Sequence, residues 1–199
     1  MSAGQHTRFA CACGQLAGHV QDASPKTTVR ARCFCADCRA AEVYHGQPDP
    51  EDAGVDLVMI DPAKLSIETG LDKLGAIKIY PKGIMRWYAT CCGARLFNTL
   101  DTPRFVFITL VTHRVSDPSV LGPEQARAFV PTAGGKTKHE NALRLYIPMI
   151  KRSLARLVTG GWRRNPLVEP ATGKMRVTPH ALTREERRAI GLVPKTSAT

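Results

Sequence analysis

The first 115 residues alternate short apolar segments with turn residues, which is typical of a chain of β-strands. Such segments predict strands at residues 27–32, 55–60, 65–69, 76–80, 84–88 and 104–111. The last of these is the strongest strand prediction because it is rich in Phe, Val, Ile and Thr. The turn sequence at 70–73 predicts a hairpin between the strands at 65–69 and 76–80. We therefore expect a mainly β domain of short antiparallel strands.

The pattern changes after Asp117. Several Pro and Gly residues predict a loop-rich connector, and a helix with period 3.6 follows at 141–158. One face of this helix is apolar and carries Leu143, Tyr146, Ile147, Ile150, Leu154 and Leu157. We expect that face to dock onto the β domain, although it could also lie on a membrane or bind a partner. The capping-box spacing of Thr183 and Glu186 predicts a short second helix at 184–190.

These patterns divide the chain into a β domain at 1–117 and a connector with a basic helical extension at 118–199, which we expect to pack on that domain. With 199 residues and 43% hydrophobic content, the chain can bury a core without help from a metal. It has no apolar run long enough to span a membrane, and its first residues lack the apolar block of a secretory signal. We expect a cytoplasmic protein.

The net charge of +11 is concentrated in the extension. Residues 136–199 contain 14 Lys and Arg against 4 Asp and Glu, whereas residues 1–135 contain 14 against 13. A basic segment of this kind could bind an acidic partner or nucleic acid, or could simply be a solvated surface.

Seven cysteines fall in three clusters, namely Cys11/Cys13, Cys33/Cys35/Cys38 and Cys91/Cys92. Their odd number and close spacing favour metal binding over a disulfide framework; redox-active or merely buried thiols are the alternative. Zinc takes about four ligands, so the three central cysteines would leave one coordination position open, as in catalytic sites. We expect three thiolates to make this site net negative and zinc a weaker Lewis acid. The outer pair, Cys11 and Cys13, needs a second pair, for which Cys91 and Cys92 are the candidates.

The C-x-C-G opening, the C-x-C-x-x-C-R middle and the Cys-Gly close resemble the family of glutathione-dependent formaldehyde-activating enzymes and centromere protein V, over roughly residues 8–110. The resemblance implies a β-tent fold of antiparallel strands with two zinc sites, and we expect one or two zinc ions in this chain. Cys11, Cys13 and Cys92 match the structural site, and Cys33, Cys35 and Cys38 match the site near the active centre. The family adds the glutathione thiol to formaldehyde, and its members are often classed as carbon-sulfur lyases.

The sequence departs from this family at three places. Ala89 stands where the closing motif has its first cysteine, and the remaining cysteine is the adjacent Cys91. Neighbouring cysteines bind one metal only with a strained peptide or an unusual turn, so the structural site could be three-coordinate in protein ligands, distorted or empty. Phe34 replaces a common histidine, and residues 40–46 differ from the usual small and polar residues, where a glutathione pocket is expected. These departures indicate a divergent subfamily whose substrate is unknown.

Three residues after the central cluster are candidates for cofactor binding. Arg39 and Tyr44 could orient a thiol or carboxylate, or could support the metal loop. His45 could be a fourth ligand, a general base or an exposed loop residue. The strand containing Arg86 is expected to pack in the core with that cation exposed.

Two functions compete at this point. The first is an enzyme acting on a small thiol or thiol adduct, with glutathione as a candidate substrate and Cys33, Cys35 and Cys38 as the catalytic metal site. The second is a zinc-stabilised binding module whose basic extension contacts an acidic partner or nucleic acid.

Overall fold

The computed structural model describes residues 6–105 and 107–192. Residues 1–5, where no secretory signal is expected, and residues 193–199 of the basic extension lie outside the described residues, as does Val106 in the strand predicted at 104–111. Within the described chain, none of the helices has the length and apolar character needed to cross a membrane.

The described residues form strands and helices in the following order: β1 (Thr7–Ala10), β2 (Ala17–Val20), β3 (Val29–Cys33), α1 (Ala36–Tyr44), β4 (Val55–Met59), β5 (Leu65–Thr69), β6 (Leu74–Lys78), β7 (Met85–Ala89), β8 (Arg95–Thr99), β9 (Ile108–Val111), β10 (Ala126–Pro131), β11 (Thr137–Glu140), α2 (Ala142–Val158), β12 (His180–Ala181) and α3 (Arg184–Ala189). The mainly β prediction is confirmed. The capping box of Thr183 and Glu186 also forms as predicted, at the start of α3.

The strands build two sheets within the described part of the chain. The larger sheet has the order β11-β10-β3-β4-β9-β8-β7-β6-β12, and it is antiparallel except for the pairs β3/β10 and β6/β12. The larger sheet therefore contains strands from both predicted regions of the chain, 1–117 and 118–199. The smaller sheet has the order β1-β2-β5. A shared core joins them, and the rings of Phe9 and Phe97 meet edge to face at 5.3 Å.

The predicted hairpin between residues 65–69 and 76–80 is wrong. β5 pairs with β2 in the smaller sheet, whereas β6 pairs with β7 in the larger one. Gly18 of β2 lets the two strands approach closely, because a Cβ there would lie 1.9 Å from the carbonyl oxygen of Ser66. The strand predicted at 104–111 begins only at Ile108, since Pro103 and the residues after it form a turn.

The orientation predicted for the helix at 141–158 is also wrong. Its apolar face is exposed to solvent, with Leu143 71% and Leu154 60% exposed. The opposite face packs on the domain through two arginines. Arg152 donates to the carbonyl oxygen of Thr27 at 2.6 Å, and Arg156 donates to the carboxylate of Asp61. The inward side of α2 therefore carries these two guanidinium groups together with the partly buried Leu145 and Met149.

Candidate metal centres

Four cysteines of the outer cluster converge from two turns. The Sγ atoms of Cys11, Cys13, Cys91 and Cys92 all lie within 4.8 Å of one another. The Sγ–Sγ distance is 3.6 Å for Cys11–Cys13, 3.9 Å for Cys11–Cys91 and 3.3 Å for Cys13–Cys91. Four sulfurs placed tetrahedrally about 2.3 Å from a zinc ion are about 3.8 Å apart. The outer cluster therefore has the ligand number and spacing of a closed structural zinc site.

The turn between β7 and β8 brings both neighbouring cysteines to this site. The carbonyl oxygen of Ala89 accepts hydrogen bonds from the backbone nitrogens of Cys92, at 3.3 Å, and Gly93, at 2.8 Å. Gly93 has φ of 70°, a left-handed conformation that glycine adopts without steric cost. Ala89 thus contributes its carbonyl to the turn, and the cysteine absent from position 89 is replaced by Cys91.

Backbone amides donate to the outer sulfurs, as expected for cysteines at turns. The nitrogen of Leu16 donates to Cys11 Sγ at 3.3 Å. Burial raises the pKa of Cys92, but amide hydrogen bonds from Ala94 and Cys13 outweigh it and lower that pKa to about 6. At least one thiol of the cluster therefore favours the thiolate form, which is the form that binds a metal cation.

The central cluster is built by a strand end and a helix start. Cys33 ends β3, Cys35 caps the amino terminus of α1, and Cys38 lies in its first turn. Cys35 Sγ accepts a hydrogen bond from the backbone nitrogen of Cys38 at 3.3 Å. The Cys33 and Cys35 sulfurs are 3.4 Å apart, and all three lie within 4.8 Å of one another. The positive end of the α1 dipole also favours thiolates here.

Two buried arginines adjoin the central cluster. Arg86 of β7 is 2% exposed, and its Nη1 lies 3.2 Å from both Cys38 Sγ and Asn98 Oδ1. Arg95 of β8 donates to the carbonyl oxygen of Cys38 at 3.2 Å and pairs with the buried Glu42. The expectation that Arg86 is an exposed cation is wrong, because β7 lies inside the larger sheet, between β6 and β8.

These cations change the charge of the central site. Hydrogen bonds from Cys33 and Cys35, followed by the charges of Arg86 and Arg95, lower the pKa of Cys38 well below its usual value, against the effect of burial. Three thiolates around a bound Zn²⁺ would carry one net negative charge, which the adjacent guanidinium of Arg86 would offset. The net negative charge expected from the sequence would therefore be balanced within the site.

A cavity of about 460 Å³ opens beside the central cysteines. Cys33, Cys35, Cys38 and Arg86 line one side. The rest of the wall is mostly apolar, and the inward face of α2 covers it with Leu145, Tyr146 and Met149. The volume lies in the range of small-molecule sites.

The three residues predicted to bind a cofactor lie outside this cavity. Arg39 forms a two-pronged ion pair with Asp49, at 2.7 and 2.6 Å. Tyr44 and His45 stand at the far end of α1, since seven residues of helix separate His45 from Cys38 by about 10 Å. Arg39, Tyr44 and His45 are thus not part of this cavity, and their role in cofactor binding stays a prediction.

His45 belongs to neither cysteine group. Its ring packs on Tyr88 at 4.8 Å, and its Nε2 is buried without a hydrogen-bond partner among the described residues. Burial, with a smaller effect from Arg95, lowers its pKa to about 4. His45 is therefore a half-buried neutral side chain rather than a metal ligand or an exposed loop residue.

Both clusters fit zinc by donor type and spacing. Thiolate sulfurs suit zinc, and each group holds its sulfurs close enough for one ion. The outer group supplies four ligands. The central group supplies three, and within the described part of the chain no further Cys, His, Asp or Glu completes it.

Comparisons with known proteins give a family but no activity. No curated protein matches the chain. A crystal structure of a Rhodobacter sphaeroides protein is 16% identical, with a TM-score of 0.41 over 59% of this chain and 96% of that one. None of these findings connects the chain to glutathione-dependent formaldehyde-activating enzymes, so that resemblance is one of motifs. Residues 4–175 match DUF6151, and the chain therefore belongs to this family of unknown function.

Proposed function

We propose that the chain is a zinc-thiolate enzyme of the carbon-sulfur lyase type, which acts on a thiol or thiol adduct beside Cys33, Cys35 and Cys38. The observation that carries the proposal is a three-thiol group next to a small-molecule cavity, with no fourth protein ligand in the described residues. A zinc ion held by these cysteines would bind an external thiol as its thiolate at the one open position. The motif resemblance to formaldehyde-activating enzymes supports the same chemistry.

The reaction joins a thiol to a carbonyl carbon or reverses that step. In the forward direction a carbon-sulfur bond forms and the C=O π pair moves to oxygen. The proton lost by the thiol ends on the new hydroxyl group. No oxidant or reductant is required, so the cysteines need not change oxidation state.

Arg86 is the residue best placed to support this step. Its Nη1 donates to Cys38 Sγ, which balances the charge of three thiolates. The same Nη1 also donates to Asn98 Oδ1, so the group is held in place by protein contacts. Because the side chain lines the cavity, its charge would stabilise the negative charge that develops on a substrate oxygen.

The outer cluster has a different role in this proposal. Its four thiolates would close the coordination sphere of zinc and join the β1–β2 turn to the β7–β8 turn. Because β7 carries Arg86, a structural ion there would hold the central site in shape.

The alternative of a polyanion-binding module has less support. Several cations of the extension are used inside the molecule, with Arg156 paired to Asp61 and Arg176 to Glu169, each at 2.7 Å. Arg187 donates to the carbonyl oxygens of Ile79 and Leu182. These contacts account for part of the basic composition through ion pairs and hydrogen bonds within the molecule.

The proposal is tested with the zinc-loaded full-length chain, formaldehyde and 2-mercaptoethanol. Exchange NMR measures the rate at which the hydroxymethyl thioether forms and dissociates. We expect the chain to accelerate exchange, Cys35→Ser to abolish the acceleration, and Arg39→Met, altered outside the cavity, to retain it. A zinc-loaded chain that exchanges no faster than buffer with equal zinc would overturn the proposal.

A further inference from the structure

The cavity beside the central cysteines has an apolar wall that does not suit glutathione. Its apolar lining comes from three parts of the chain, with Leu57 and Met59 from β4, Leu100 and Phe105 from the segment after β8, and Leu145 and Met149 from α2. Glutathione carries carboxylates and an ammonium group along its whole length. Burying these groups against such a wall would leave them without partners, at a large desolvation cost.

The charged residues of the lining do not compensate for this. Arg32 already binds Glu124 at 2.7 Å, and Arg86 donates to Cys38 at 3.2 Å. Lys82 is exposed at the surface. No cation of the described lining is thus both buried and uncommitted.

We infer that the thiol taken by this site is an apolar one, an alkyl or aryl thiol whose body fills the cavity under α2 while its sulfur completes the central metal site. This inference rests on the function proposed above. It differs from the motif resemblance, which implies glutathione. The open coordination position binds the sulfur of the thiol, and burial of its hydrocarbon in the cavity strengthens the binding.

Helix α2 contributes to the selection through its inward face. Leu145 and Met149 line the cavity, whereas Leu143 on the same helix is 71% exposed and faces away. A carboxylate at 145 would therefore enter the wall of the cavity. The same change at 143 would only alter the outer surface, which makes it a matched control.

The experiment uses the full-length chain loaded with Co²⁺, whose thiolate charge-transfer absorption reports each added sulfur ligand. The outer four-thiolate site contributes a constant signal, so the change on titration comes from the open site. The chain is titrated with ethanethiol, butanethiol, hexanethiol and glutathione. We expect about fourfold tighter binding for each added methylene, the ratio that corresponds to about 0.8 kcal/mol, until the cavity is filled. Glutathione should bind more weakly than butanethiol.

Two variants distinguish the contribution of the cavity wall to thiol affinity from the contribution of the metal site. Leu145→Asp should weaken hexanethiol at least tenfold while leaving ethanethiol within about twofold, and Leu143→Asp should change neither. Equal cobalt content in both variants checks that the sites remain folded. Cys35→Ser should lose the spectral response to every thiol.

The outcomes distinguish this inference from the proposed function. If no thiol changes the spectrum, the central site is closed and both fail. If glutathione binds as tightly as hexanethiol, or if affinity does not depend on chain length, the inference fails while thiol binding at the central site stands.

Discussion

Arg86 Nη1 lies 3.2 Å from Cys38 Sγ, so a fully buried guanidinium is hydrogen-bonded to the deepest thiol of the central cluster. A buried cation of this kind is stable only beside negative charge. The contact therefore indicates that Cys38 is held as a thiolate, which is the form that binds zinc.

Replacing Arg86 should weaken metal binding at the central site. We expect Arg86→Met to lower zinc affinity there by about 10- to 100-fold, as is common when a partner of a metal ligand is removed. Arg86→Lys, which keeps the charge, should retain part of the affinity. Competition with a chromophoric chelator measures the effect, and Arg39→Met serves as the surface control. Equal affinities for Arg86→Met and the unaltered chain would show that the contact does not support the metal.

The turn that carries Cys91 and Cys92 should depend on the backbone conformation of Gly93. Gly93→Ala should destabilise the zinc-loaded chain by about 1 kcal/mol, because φ of 70° is costly for alanine. A Cβ at Gly93 meets nothing within 4 Å, so the cost comes from the backbone alone. Urea unfolding measures the change. Gly134→Ala is the control, since that position is also open and not left-handed; equal effects at both positions would contradict the account.

His45 should make the folded state less stable in acid. Its pKa is about 4 when folded, against 6.5 as its ordinary value, so the unfolded chain binds the extra proton first. The contribution of neutral His45 to the free energy of unfolding is present in full above pH 6.5 and declines as the pH falls towards 4. His45→Phe should therefore lose less stability than the unaltered chain between these values, as urea unfolding at several pH values would report. Loss of zinc in acid affects both chains alike, and parallel curves would mean that His45 is not buried as neutral imidazole.

The attachment of α2 should depend on its inward cations. Arg156 Nη2 lies 2.7 Å from Asp61 Oδ2, and both side chains are mostly shielded from water. Arg156→Met should cost roughly 1–2 kcal/mol and increase amide hydrogen exchange throughout α2. Arg144→Met, altered on the exposed side of the same helix, should leave exchange unchanged. Exchange that is equal in the two variants would mean that the ion pair does not hold the helix.

Much of the fold follows from local sequence. The period-two segment leading into Cys33 forms β3, and the helix at 141–158 was predicted within one residue of α2. The pairing of the strands did not follow, because β5 pairs with β2, from which β3, α1 and β4 separate it along the chain, rather than with the adjacent β6. The inward face of α2 was also missed, since it carries two guanidinium groups that bond to Thr27 and Asp61 rather than the longer apolar stripe of the helix.

The candidate site was predictable only in part. Spacing alone groups the sulfurs of Cys33, Cys35 and Cys38, because all three come from six consecutive residues. Arg86 and Arg95 reach them only through the pairing of β7 and β8, which no short motif encodes. The sequence signal that Arg86 is buried was its position between apolar residues of a predicted strand, and that strand lies in the interior of the sheet.

The zinc content of the reconstituted full-length chain tests the central claim most directly. Measured under reducing conditions, the chain should hold two zinc ions, Cys35→Ser one and Cys13→Ser one, because each substitution removes a ligand from a different cluster. Absence of zinc from the unaltered chain, or a Cys35→Ser chain that still holds both ions, would contradict a metal site at Cys33, Cys35 and Cys38.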